Sequence, residues 1–149
     1  MITFKQLNVE EDFKTVSKKE IIDFLHTHLE QFRDSKEAIE KCINYAFSKE
    51  EGKGGYILTG HLDNKMVGVV IMNNTGMEGY IPENILVYIA VDGTMRGKGI
   101  GASLIEEVIN RSEGEIKLHV EYDNPAKRLY ERLGFTSKYA EMRFTKPKK

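Results

Sequence analysis

Between Met95 and Ile109 the sequence MRGKGIGASLIEEVI sets Gly97, Gly99 and Gly101 at alternate positions, beside Arg96 and Lys98, and then becomes an apolar helical repeat. Glycine weakens a helix, so its crowding at a helix start calls for another reason. The first N–H groups of a helix have no partner within it, and the helix dipole adds partial positive charge there. Glycines remove the side chains that would hold an anion away from those donors. The spacing therefore predicts a phosphate or pyrophosphate site on Arg96, Gly97, Lys98, Gly99, Ile100, Gly101 and Ala102, with Arg96 and Lys98 adding formal charge. A plain glycine turn rarely needs this alternation between two cations.

Two other phosphate loops fit poorly. A Walker-type loop needs one more residue than Gly93 to Gly97 encloses, and Lys98 is followed by Gly99 rather than a magnesium-binding hydroxyl. Gly97, Gly99 and Ala102 match the dinucleotide fingerprint, with Glu121 about 20 residues on where a ribose-binding acid belongs. That fingerprint opens directly after its strand, whereas Asp92 to Arg96 intervene here. A nicotinamide site is set aside on those grounds.

The elements that must carry the loop follow from periodicity. ITFKQLNV alternates as an opening strand. Ser17 and Glu20 form a capping pair before Ile21, Ile22, Leu25, Leu29 and Phe32, which repeat at helical spacing. A second helix is expected from Asp34, with Ile39, Cys42, Ile43, Ala46 and Phe47 on one face, and residues 49–55 form a break. GYILTGHL and KMVGVVIM, joined by Asp63-Asn64, read as an antiparallel hairpin. A turn-rich stretch follows, in which Met77 to Tyr80 could form a short strand. The unbroken apolar run ILVYIAV reads as a strand buried on both faces. A helix with Leu104, Ile105, Val108 and Ile109 comes next, then a strand in EIKLHVEY. NPAKRLYERLGF has proline just inside a helix start and Gly134 just past its end. A closing strand is expected over residues 137–144. These elements predict one α/β domain over residues 1–149, its central sheet partly antiparallel with one late parallel βαβ step.

RGKGIGA carries, through Arg96, Gly99 and Gly101, the Q/R-x-x-G-x-G/A motif, and the chain here resembles the Gcn5-related N-acetyltransferase (GNAT) superfamily. YIAVDGTM is similar to the strand and connector that precede this motif in the family. Ala126, Leu129, Tyr130, Leu133 and Gly134-Phe135 fit its A-x-x-L-Y-x-x-L-G-F ending. The resemblance implies a mixed, mostly antiparallel sheet flanked by helices, with a splayed strand pair between residues 85–91 and 116–122. It implies acetyl-CoA as acyl donor, its pyrophosphate on the amides of residues 96–102 and its pantetheine arm paired with the backbone of Ile89, Ala90 and Val91. Asn124 and Lys127 would flank the coenzyme.

The activity so implied is an N-acetyltransferase in which a primary amine attacks the thioester directly in a ternary complex. Tyr130 matches the family's tyrosine that protonates the leaving sulfur. An attacking amine must be neutral, and lysine-type amines are mostly protonated near neutral pH, so a base or a water chain is needed. Many relatives place a glutamate where this chain has Ile85. Glu83 is the nearest substitute, His119 and Glu121 being alternatives. Relatives also have asparagine where this chain has Asp123, which is followed by Asn124. The missing glutamate keeps open a second reading, a non-catalytic acyl-CoA-binding sensor or interaction module.

In the family the acceptor site is built by the first two helices and nearby loops. Here those contain His26, His28, Glu30, Asp34 and the glycine-rich 52–55 connection, which leaves open an amine-bearing small molecule or a protein amino group. His26 and His28, two apart, share no helix face and make a poor metal pair, and no metal site is expected. A net charge of −1 gives no general attraction to nucleic acid or an anionic membrane. One cysteine, Cys42, precludes an internal disulfide. No apolar run approaches a membrane span and no signal peptide is visible, so a cytoplasmic protein is expected. The family often forms homodimers; nothing in this sequence specifies one.

Overall fold

Asp63 and Asn64 both adopt positive φ, 50° and 65°, as a two-residue hairpin turn requires and as these residue types tolerate. In the computed structural model, which describes residues 1–148, that turn joins β2 (Gly55–Leu62) to β3 (Lys65–Asn74). β1 (Thr3–Leu7) pairs with β2, and β4 (Asn84–Val91) pairs with β3, all antiparallel. β5 (Ile116–Leu118) joins β4 in parallel, so the sheet runs β1-β2-β3-β4-β5. This is the mixed, mostly antiparallel sheet expected from the sequence. The chain divides into two compact units, Met1–Leu118 and His119–Lys149, and the sheet belongs to the first.

Within that first unit, α1 (Lys18–His28) opens with a reciprocal cap. Ser17 Oγ accepts from the Glu20 N–H, and Glu20 Oε1 accepts from the Ser17 N–H. The helix is shorter than its periodicity suggests. Glu30 takes φ 54°, which ends the helical run, so Leu29 becomes the cap and Phe32 falls in a separate 3-10 turn. α2 (Lys36–Ala46) starts after Ser35 rather than at Asp34, because Ser35 Oγ accepts the Ala38 N–H. Ile39, Cys42, Ile43 and Ala46 of α2 meet Ile21 and Leu25 of α1 and Ile57, Val69, Ile71 and Ala90 of the sheet. Cys42 is thus a core residue, and burial pushes its thiol pKa up to about 12. α3 (Ile100–Arg111) covers the opposite face. A Cβ at Gly68 would stand 2.5 Å from Leu104 Cδ1, so a residue without a side chain is what lets α3 approach β3 this closely.

β4 contains the irregularity that matters most. Met72 is registered with Leu86 and Ile71 with Tyr88, which makes Val87 an extra residue. A bulge of this kind turns two successive side chains to the same side, and Val87 and Tyr88 both pack against the core beneath α1 and α2. The ladder to β5 covers only Asn84, Ile85 and Leu86, registered with Ile116, Lys117 and Leu118. From Val87 to Val91 that edge has no ladder partner among the described residues. In the strand pair expected from the sequence to splay, the ladder stops where the bulge begins and leaves that edge of β4 open. Two other expectations change with it. Ile85, Val87, Tyr88, Ile89 and Val91 are half-buried rather than enclosed on both faces. The strand expected over residues 115–122 is only three residues long, since its partner strand leaves register after Leu86.

The second unit contains α4 (Ala126–Arg132). Gly134, at φ 104°, ends it in the left-handed region, and the Phe135 N–H returns to the Tyr130 carbonyl at 3.0 Å. Residues 137–144 do not form the expected closing strand. Alternating apolar residues become a strand only against a pairing partner, and this unit has no other strand among its described residues. Tyr139, Met142 and Phe144 are accordingly exposed. Met77 to Tyr80, considered as a short strand, is a turn closed by the Ile81 N–H on the Met77 carbonyl. No helix among the described residues is long and apolar enough to cross a membrane.

Candidate functional site

The connector after β4 is organised by its first residue. Asp92 is 7% exposed, and its Oδ1 accepts from both the backbone N–H of Thr94 (2.9 Å) and the Thr94 hydroxyl (2.8 Å). Those hydrogen bonds, the backbone one first, hold its pKa below the usual carboxylate range. The Met95 N–H closes the 3-10 turn on the Asp92 carbonyl at 2.8 Å. His28 Nδ1 accepts the Gly93 N–H at 3.1 Å. The connector is thereby anchored to the end of α1.

Beyond Met95 the pattern changes abruptly. No backbone N–H from Arg96 to Ala102 donates to any acceptor among the described residues, and pairing resumes with Ser103 on the Gly99 carbonyl at 3.1 Å. Gly97 and Gly99 take φ 81° and 75°, and a Cβ built on either would meet nothing within 4 Å. Space and unpaired donors therefore coincide, the combination an anion requires. Ile100 is buried and anchors the first turn of α3, while Gly101 and Ala102 are half-buried. The two cations separate. Lys98 is exposed and its Nζ has only the Met95 sulfur nearby, at 3.9 Å. Arg96 does not direct its charge at the loop as expected: its guanidinium pairs with Glu30 and donates to the His28 carbonyl at 2.9 Å. Two carbonyl and carboxylate acceptors at the end of α1 draw it there.

Ile89, Ala90 and Val91 are registered with Val70, Val69 and Gly68 on one edge and belong to the open stretch on the other. Glu83 precedes this strand at its far end. Its Oε1 accepts the Glu115 N–H at 2.7 Å, and backbone hydrogen bonds, that one foremost, hold its pKa low. Such a carboxylate is a weakened base, suited to holding the turn before β5 rather than to abstracting a proton. In the second unit, His119 and Glu121 are exposed and lie outside any strand.

Also in the second unit, Tyr130 is 7% exposed, with its ring edge-on to Phe135 at 5.8 Å. Burial pushes its pKa up to about 12, so it is a phenol, a hydrogen-bond donor, at neutral pH. Asn124 uses its side-chain oxygen to accept the Ala126 N–H at 2.9 Å, which makes it a cap for α4. Lys127 pairs with Glu131 at 3.1 Å along the helix. A hollow of about 460 Å³ is lined by residues including Tyr122, Asn124, Lys127 and Arg128.

The sequence does not single out Tyr88. It is the residue just after the bulge, and its hydroxyl donates to Asp34 Oδ2 at 2.5 Å. Nothing in ILVYIAV marks it, because the extra residue that turns it towards Asp34 has no local signal. Asp92 and Thr94 were legible in principle, since Asp-x-Thr is a common self-capping turn.

The model of the acetyltransferase (GNAT) domain matches residues 53–137. No curated protein sequence matches the chain significantly. Among solved structures, a possible acetyltransferase from Clostridium difficile 630 is 18% identical with a TM-score of 0.69, over 100% of this chain and 99% of that one. An aminoglycoside acetyltransferase from an uncultured soil metagenomic sample, in complex with sisomicin, is 20% identical with a TM-score of 0.67, over 99% and 97%. A transcriptional regulator from Bacillus halodurans C-125 is 18% identical with a TM-score of 0.66, over 97% and 99%. At these identities the structures establish the shared fold.

Proposed function

Because the chain belongs to the acetyltransferase (GNAT) domain family, we propose that it is an acetyl-CoA-dependent N-acetyltransferase acting on a primary amine. The observation that carries this reading is the uninterrupted run of unpaired N–H groups from Arg96 to Ala102. A diphosphate presents enough acceptor oxygens to use such a run, and the positive-φ glycines leave room for it. The residues present thus fit the coenzyme's most charged portion, with Lys98 supplying formal charge. The open edge of β4 from Val87 to Val91 supplies backbone groups for the amide-bearing arm, as an added strand would use them.

When bound, acetyl-CoA supplies an acyl group on sulfur: a carbon–nitrogen bond forms to the amine, the carbon–sulfur bond breaks, and the nitrogen's proton leaves as the thiolate takes one up. Tyr130, a phenol with a raised pKa, is suited to donate to that sulfur. Glu83 is not assigned as the base, because its carboxylate is already engaged by the Glu115 N–H. A water chain leading away from the acceptor amine is the remaining route for its proton. A protein of this reading acts where acetyl-CoA is made, in the cytoplasm, as one domain and with no metal.

Titration calorimetry with acetyl-CoA and with free CoA tests the reading directly. Binding of both, together with CoA release on adding amines, is the expected result. Absence of binding to either would refute it, while binding without release on any amine would favour the sensor.

A further inference from the structure

Several acidic side chains around α1 and α2 are held by cations, while Asp12 and Glu20 accept backbone N–H groups at helix starts. Glu10 pairs with Lys18 at 3.2 Å, Asp23 with both Lys19 and Lys36 at 2.7 and 3.0 Å, and Glu30 with Arg96. In each of these pairs the acid is neutralised by a cation of the same chain. Asp34 is the acid that reaches β4: its contact is the neutral hydroxyl of Tyr88, at 2.5 Å on Oδ2, and no cation of the described residues pairs with it. The phenol does not take over the charge. Burial and then the neighbouring Asp34 carboxylate raise its pKa, so the proton stays on the tyrosine and the negative charge on Asp34.

The position of this charge is set by the bulge. Tyr88 is the first residue after Val87, at the point where β4 leaves β5 and its edge becomes open. It lies three residues from Val91, roughly 10 Å along a strand, and so at the end of the open edge remote from the glycine loop. If the proposed function holds, with the diphosphate at residues 96–102 and the arm on Val87 to Val91, the acyl group arrives beside Tyr88.

A carboxylate there has a definite consequence for the acceptor. Next to an ammonium it stabilises the protonated form, and a protonated nitrogen has no lone pair with which to attack. Asp34 is therefore unsuited to hold the reacting nitrogen and well suited to hold a second positive charge on the same molecule. We propose that Asp34, oriented by Tyr88, is a specificity-determining residue that selects acceptors carrying a second cationic group besides the amine that is acetylated. The substrate class is a diamine or polyamine-like cation. This rests on the acetyltransferase reading and narrows it.

The experiment compares CoA release from acetyl-CoA with a diamine (putrescine) and with its monoamine counterpart (butylamine), for the wild-type chain, Asp34→Asn and Tyr88→Phe. Acetyl-CoA affinity is measured in parallel. For the wild type the expected kcat/KM is about tenfold or more higher with the diamine, the scale of one charged hydrogen bond. Asp34→Asn removes that preference through KM for the diamine, leaving butylamine and acetyl-CoA affinity within about twofold. Tyr88→Phe keeps the charge and frees its direction, so it retains part of the preference. Equal loss on both amines in Asp34→Asn, with a lowered Tm, would show a merely structural contact and overturn the inference. Binding of acetyl-CoA with no advantage for the diamine in the wild type would overturn it while sparing the parent reading. Failure to bind acetyl-CoA would sink both.

Discussion

The Arg96 guanidinium donates to the carbonyl oxygen of His28 at 2.9 Å and pairs with the Glu30 carboxylate as well. The cation that sequence reasoning assigns to the phosphate instead fastens the glycine loop to the end of α1. Arg96→Ala should therefore loosen the loop rather than remove a ligand contact. Both partners are about half exposed, at 50% and 53%, so the effect is that of a surface pair, roughly three- to fivefold in affinity for CoA. Glu30→Gln should do nearly the same. Calorimetry on the two variants checks this; a loss in Arg96→Ala far larger than in Glu30→Gln would mean that the guanidinium contacts the coenzyme itself.

Gly97 and Gly79 make a matched pair. Both have positive φ, 81° and 96°, and neither has any atom within 4 Å of an added Cβ. Alanine at either should cost about 1–2 kcal/mol of stability through backbone strain. Only Gly97→Ala should also weaken CoA binding, by about tenfold or more, because only there does the methyl group enter the space beside the unpaired amides. Melting curves and calorimetry on both variants separate strain from obstruction.

Tyr130→Phe should reduce turnover while preserving CoA binding, if the phenol donates to sulfur. The pH dependence has a definite sign. Its pKa, raised to about 12, means that the contribution of the neutral phenol to stability is complete below about pH 10. It disappears as pH rises through about 12. A phenolate absorbance titration should therefore show tyrosines ionising late, with one fewer in Tyr130→Phe. Rate profiles between pH 6 and about 9 should show no inflection from this group.

Glu83→Gln should leave turnover largely intact. The pKa of Glu83 is depressed, chiefly by the Glu115 N–H. Its contribution to stability is thus present above the ordinary glutamate range and lost as pH falls through the lower folded value. The variant's melting temperature should change less between neutral and acid pH than that of the wild type. A large fall in kcat with an unchanged melting profile would restore Glu83 to the catalytic step.

Much of the fold was legible because its signals are local. Ser17 with Glu20, Asp63 with Asn64, and Gly134 after Leu133 each mark an element boundary by their own hydrogen-bonding or backbone preferences. The run of unpaired amides over residues 96–102 was legible for the same reason, since alternate glycines at a helix start have few other uses. The contacts of Arg96, His28 and Tyr88 were not, because each depends on a partner distant in sequence. Nor was the brevity of β5, which follows from the register of β4 rather than from the residues of β5. The alternation over residues 137–144 shows the converse: a strand pattern without a pairing partner forms no strand.

Val87 is a one-residue insertion that the bulge absorbs without shifting the frame of the strand. Upstream of it, Leu86 shares the side of Met72; downstream, Tyr88 and Ala90 share the side of Ile71 and Val69. Deleting that single codon would restore an unbroken register, with Leu86 still on the side of Met72 and Tyr88 and Ala90 still on the side of Ile71 and Val69. The extra residue is thus absorbed locally, and its trace is the open edge that begins where the β5 ladder stops.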